Sequence, residues 1–171
     1  MKTGKQQPIE NPFWTHSVTC YGREGVRALC LEFQETSDAD VNLLLFGLWL
    51  GCEGYVVSEA GAQVFAQAVA PWHCEVVRPL RAVRRRLKGW AIVDDKPRER
   101  LRSAIQTWEI EAERLQQDML YGLFMERLNE LCAPAPCGRK AMQANLHTFL
   151  ALSPGYAGSP KAVEKLVSLC L

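Results

Sequence analysis

The sequence predicts an all-α, single-domain bundle of about six to eight helices, and three observations carry that expectation. Apolar residues recur at spacings of three and four along most of the chain. A small polar residue followed by proline, the signature of a helix start, stands at Asn11-Pro12 and again at Ser159-Pro160. The run DVNLLLFGLWLG from Asp40 is apolar nearly all round, and a helix without a polar face belongs in the middle of a bundle. No alternation of β-branched residues requires a sheet; Tyr55-Val56-Val57 is too short to count.

The elements follow in order. Residues 1–10 read as a flexible tail. Helix one runs from Pro12 to about Tyr21, with Gly22 as its stop, and helix two from about Glu24 to Glu35, with Val26, Leu29, Cys30 and Phe33 on one face. Thr36-Ser37-Asp38 breaks the pattern, and Asp38 or Asp40 caps the buried central helix near 40–51. Ser58 caps a helix reaching Ala70. Pro71 then opens another that continues to Gly89, with a kink expected at Pro79. After the charged loop Asp94-Asp95-Lys96-Pro97 comes a long helix near 97–131. Within it Leu101, Ile105, Trp108, Ala112, Leu115 and Met119 form a heptad-like seam, as for a strut packed along neighbours. A kink is expected near Gly122, where the stripe shifts. Residues 133–137 read as a stiff Pro-rich linker between the core (11–132) and the C-terminal helices in 138–171, about Lys140–Leu152 and Pro160–Leu169.

Composition narrows the function classes. The 171 residues are 48% hydrophobic and 23% charged, with a formal net charge of +1, a globular balance that argues for no general nucleic-acid or membrane binder. The most apolar run, Leu43 to Cys52, is about half of the ~20 residues a bilayer span needs. The N-terminus is polar and lacks the apolar stretch of a signal peptide. Seven cysteines, odd in number, irregular in spacing and without a Cys-x-x-Cys, argue against a disulfide framework and for a reducing, cytoplasmic setting.

Three segments together carry a family likeness: NPFW near the start, DADVNLLLFGLWLG in the middle and VVRPLRAVRRRLKG after it. Over roughly Asn11 to Leu152 the chain resembles a proteobacterial family of small helical proteins, the domain of unknown function 2390 family. The resemblance implies a helical fold and the same compartment, and it implies no mechanism or functional residue.

Charge is distributed unevenly, and residues 78–102 hold ten of the basic side chains against three acidic ones. Plotted at ~100° per residue, Val76, Leu80, Val83 and Leu87 share one arc, and Arg78, Arg81, Arg84, Arg85 and Lys88 an adjacent one. Arg98, Arg100 and Arg102 extend the cationic side. Such a stripe is a solvated face, or one paired with the chain's own Glu109, Glu113 and Asp118, or a docking surface for an acidic protein partner. Nucleic acid is a weaker candidate, since the pI of 7.6 falls short of the ~9 typical of such domains.

A second candidate is a small-molecule pocket between helices near Asp40, Asn42, Trp49 and Trp72. Asn42, a polar amide inside an apolar helix, must find partners if buried. Motifs with firmer chemistry fail. Asp38, Asp40 and Asn42 mimic the start of a calcium loop, but Leu43 stands where glycine is needed and Trp49 where a bidentate Glu belongs. Glu109 and Glu113 share a face without any Glu-x-x-His to complete a di-iron site. His16 with Cys20, His73 with Cys74, and Cys132 with Cys137 match no common zinc spacing. No metal, cofactor or catalytic residue is assigned, and a non-enzymatic adaptor or regulator is the leading expectation.

Overall fold

The structure, a computed structural model, describes residues 11–91 and 95–171; the expected N-terminal tail and Asp94 lie outside them. Among the described residues there are eight α-helices and one two-stranded sheet. They are α1 (Pro12–Tyr21), α2 (Val26–Ser37), α3 (Val41–Cys52), β1 (Tyr55–Val57), α4 (Glu59–Trp72), α5 (Arg78–Lys88), α6 (Asp95–Leu131), β2 (Cys132–Pro134), α7 (Arg139–Leu150) and α8 (Pro160–Cys170). The all-α expectation holds.

Caps explain most of the starts. Asn11 accepts the Trp14 N–H, Asp40 that of Asn42 and Ser58 that of Gly61, each answering a donor that the first turn leaves unpaired. Of the two aspartates considered for α3, Asp40 is the cap, whereas Asp38 closes α2 in the left-handed region at φ 53°. Ser159 makes no side-chain cap, so proline at the first position is what α8 retains of its expected start.

α3 is the hub, with every residue from Asn42 to Gly51 buried. Phe46 sits among Phe13, Trp49, Phe65, Phe124 and Phe149 with ring centroids 4.9–6.3 Å away, the edge-to-face and offset range that aromatic pairs favour. Its glycines set how closely α7 can lie. A Cβ on Gly51 would stand 2.5 Å from the Met142 backbone nitrogen, and one on Gly47 3.1 Å from the Phe149 ring. Gly51→Ala should therefore force the two helices apart, with a net cost of about 2 kcal/mol despite alanine's better helix propensity. Thermal unfolding of the variant measures it; an unchanged or raised Tm would contradict the close approach.

Four expectations need correction. Pro71 opens no helix: it lies inside α4, and His73–Val77 then forms a π-helical turn leading into α5. The wider turn accommodates Pro79, which has no N–H to donate and whose ring would crowd the carbonyl four residues back. Tyr55–Val57 does pair, antiparallel, with Cys132–Pro134. The supposed linker is thereby tied to the core, and Ala135 N–H to Gly54 O and Gly138 N–H to Gly51 O extend the tie.

The long helix departs from helical geometry at Arg127 (φ −129°, ψ 26°), not at Gly122. Gly122 faces open space, so nothing there demands a bend, whereas Arg127 precedes the turn into β2. Finally, Cys20 and Cys170 form a disulfide, while Cys30, Cys52, Cys74, Cys132 and Cys137 are free. Burial pushes the Cys30 thiol up to about 12 and the Cys132 thiol up to about 11, so both are inert, neutral packing groups.

Candidate functional site

α5 and α6 pack as an antiparallel pair by charge. Arg81 donates from Nε to Glu109 (3.0 Å), from one terminal nitrogen to Glu113 (2.5 Å) and from the other to Gln34 (2.5 Å). Arg84 forms a two-pronged pair with the same Glu109. Glu109 is buried. Burial alone would raise its carboxyl, but hydrogen bonds from Arg84 and Arg81 and their charges hold it below the ordinary glutamate value. At Glu113 burial outweighs Arg81, and the carboxyl is raised. The remaining stripe residues point outward. Arg78 meets Asp38 at 3.1 Å and Arg85 meets Glu35 at 3.4 Å, all four side chains half exposed or more; Lys88 is exposed.

The stripe is thus split into two halves with different work. Arg81 and Arg84 are structural, joined to the chain's own acidic helix. Arg78, Arg85 and Lys88 remain at the surface. Arg98 and Arg102 do not simply extend the stripe, because each pairs within α6, with Asp95 and Glu99.

Turning arginines inward turns apolar residues outward. No residue of α5 is buried, and Val83 is 49% exposed. The seam of α6 fares likewise: Leu101 is 53%, Trp108 65%, Leu115 51% and Met119 42% exposed, and only Ala112 of the set is buried. The expectation that this seam packs along neighbours is overturned. The face of α6 that does pack is polar: Glu109, Gln116 and Gln117, with Ala112, Leu120 and Phe124.

At ~100° per residue each seam lies roughly a quarter turn from its helix's ion-pair side, in the same sense. Because the helices run antiparallel, both seams emerge on one face of the pair.

Gln116 and Gln117 are buried because α3 needs them. Asn42 donates to Gln116 (3.0 Å) and accepts from Gln117 (2.9 Å), and Gln116 donates to Asp40 (2.5 Å). Asn42 therefore fastens α3 to α6. Trp49 lies in the aromatic core, and Trp72 donates its indole N–H to the Ala112 carbonyl at 2.9 Å. The four expected pocket residues do not gather round one cavity. Asp40 lines one of two surface clefts, and Asn42, Trp49 and Trp72 line neither. One, about 530 Å³, is an open groove bounded by Gln34, Asp38, His73, Arg78, Arg81 and Arg85. The other, about 140 Å³, includes Asp40, Leu44, His73, Cys74, Phe149 and Ser153. His73 borders both; its Nδ1 lies 3.1 Å from Asp40 Oδ2, off the line of a hydrogen bond.

Among the described residues no three His, Cys, Asp or Glu side chains gather as a metal-binding group, and Cys20, once a possible partner for His16, is in the disulfide. No helix there is long and apolar enough to cross a membrane.

A family model described as "Protein of unknown function (DUF2390)" matches residues 12–120, well over half of the chain. The chain belongs to this family. The shared region starts at the first residue of α1 and ends inside α6, so it holds the hub helix, the whole of α5 and the ion pairs joining α5 to α6, and stops short of the expected reach to Leu152. No curated protein and no solved structure matches the chain.

Asn145 escaped the sequence reading. Fully buried on α7, it donates to the carbonyls of Gly47 and Tyr55 at 3.0 and 2.9 Å and accepts from the Val57 N–H at 2.9 Å. Its signal was available: a lone amide on the apolar face running Met142, Leu146, Phe149.

Proposed function

We propose that this family member is a non-enzymatic adaptor or regulator that receives an acidic protein partner along the outer edge of α5. The observation carrying this reading is the different standing of its cations. Arg78 and Arg85 are held only by half-exposed pairs, which contribute ~0–1 kcal/mol each. An incoming carboxylate can displace Asp38 or Glu35 at little cost and gain the arginine fork. Lys88 adds a third charge, and the 530 Å³ groove beside Arg78 and Arg85 offers a depression to enter. Nucleic acid is the less favoured polyanion. A cytoplasmic setting belongs to the proposal: five free cysteines support it, and the Cys20–Cys170 bond weighs against it.

The test reverses Arg78, Arg85 and Lys88 to Glu together and spares Arg81 and Arg84, whose loss would damage the fold. In-cell cross-linking with mass spectrometry should show an acidic partner attached near α5 in the wild type, absent in the triple variant at unchanged Tm. Unchanged cross-links would refute the reading. Nucleic acid cross-linked in the partner's place would assign the surface to phosphate, with the steep salt dependence of counterion release.

A further inference from the structure

We infer that the exposed seam of α6 is an interface between two copies of this chain, packed antiparallel about an axis near Trp108.

The seam is an unspent packing surface. Leu101, Ile105, Trp108, Ala112, Leu115 and Met119 alternate steps of four and three, the repeat by which one helix presents knobs to another helix, and Ala112 alone of them is already buried within the monomer. Over Leu101–Met119 it spans about 28 Å at 1.5 Å per residue. Four of these side chains are 42–65% exposed, and Val83 of α5 continues the patch on the same face. Contiguous apolar surface of this kind, rimmed by charge, marks an association site. A large exposed tryptophan at its middle is the residue type that dominates interface energies.

Charge selects the partner and its direction. Along the seam's outer flank, exposed Arg100 stands near one end, and exposed Glu111 and Asp118 stand toward the other, where Arg114 between them lies over the Trp14 ring. A parallel pair would set Glu111 against Glu111 and Asp118 against Asp118. Turned antiparallel, with the axis near Trp108 and Glu109, the same helix places Arg100 of each copy opposite Asp118 of the other. Leu101 then faces Leu115, and the two Trp108 side chains meet at the axis with half-buried Ile105 beside them. One surface complements itself under a two-fold rotation, which is the requirement for a closed, isologous dimer. Nothing in this arrangement uses Arg78, Arg85 or Lys88, so it stands independently of the acidic-partner reading.

Sedimentation velocity of the full chain over a range of concentrations reads the inference directly. The wild type should show a concentration-dependent dimer. Trp108→Glu should weaken it by about thirtyfold or more while Tm stays unchanged at dilutions where the wild type is itself monomeric, because the side chain is mostly exposed in the monomer. Direction is read by Arg100→Asp and Asp118→Arg: each alone should weaken the dimer and the double variant should restore it. Asp118 also accepts a hydrogen bond from Asn11, so Tm is followed for that pair, and Arg100→Asp alone serves if Asp118→Arg unfolds. A monomer at the highest soluble concentration, or a dimer indifferent to Trp108→Glu, would overturn the interface. Single variants that leave affinity unchanged would overturn the antiparallel register.

Discussion

Glu109→Gln is expected to destabilise the fold by about 3 kcal/mol, the usual penalty for leaving a buried charge without its counter-ion, or roughly 8 °C in Tm for a chain of this size. Two arginines lose their shared partner at once. Arg81 and Arg84 are only 14% and 23% exposed at the side chain, so water replaces the carboxylate poorly. The loss should depend on pH in a defined direction. Glu109 has a lowered pKa in the folded state; its contribution is therefore complete above the unfolded value, about 4.3, and fades as pH falls through the lower folded value. Glu113 is raised and acts with the opposite sign, but it is present in both proteins and largely cancels in their difference. Denaturant unfolding at pH 7 and at pH 3 should show the gap between wild type and variant narrowing in acid. A gap constant across that range would mean that Glu109 acts through its shape and not its charge.

Asn145→Leu should cost a comparable amount, about 3–4 kcal/mol, although leucine keeps the same branched skeleton and is apolar. It removes three hydrogen bonds from one buried point. The Val57 N–H and the Gly47 and Tyr55 carbonyls stay behind, and each stranded group costs ~1–3 kcal/mol less whatever relaxation recovers. Because β1 is only three residues long, the strand pair should fray first. Hydrogen exchange at Val57 should accelerate more than exchange at the α3 amides; uniform acceleration would show that Asn145 supports the whole bundle and not the sheet.

Much of this architecture was legible from local chemistry. Asn11-Pro12, Asp40 and Ser58 each announce a helix by an interaction completed within three residues, so no tertiary knowledge is needed. The lack of a polar face on α3 likewise requires burial wherever the helix lies. What could not be read is direction. The seam of α6 shows a helix with an apolar stripe, but a stripe does not say which neighbour covers it. The decision came from Glu109, whose partners Arg81 and Arg84 lie 28 and 25 residues away on a helix whose own position had to be known first.

The candidate site followed the same division. The arginine stripe was visible as a pattern, and pairing with Glu109 and Glu113 was one of the readings open to it, but the pattern did not separate the two inward arginines from the outward cations. Asn42 was recognised as a residue needing partners, and Gln116 and Gln117 supply them from 74 and 75 residues away. The disulfide was the most distant case. Neither Cys20 nor Cys170 carries any local mark of the other.

That bond has a mechanical meaning. It joins residues 150 apart in sequence, so the backbone from Cys20 to Cys170 is a closed covalent ring containing α2 through α8. Tension applied between the two ends of the chain enters at Cys20 and leaves at Cys170 through the sulfur–sulfur bond. The hub helix, the ion-paired hairpin and the small sheet carry none of it. Beyond the peeling of α1, a force that draws the two ends of the chain apart meets a clamp, and the bond must be cut before the bundle feels that load.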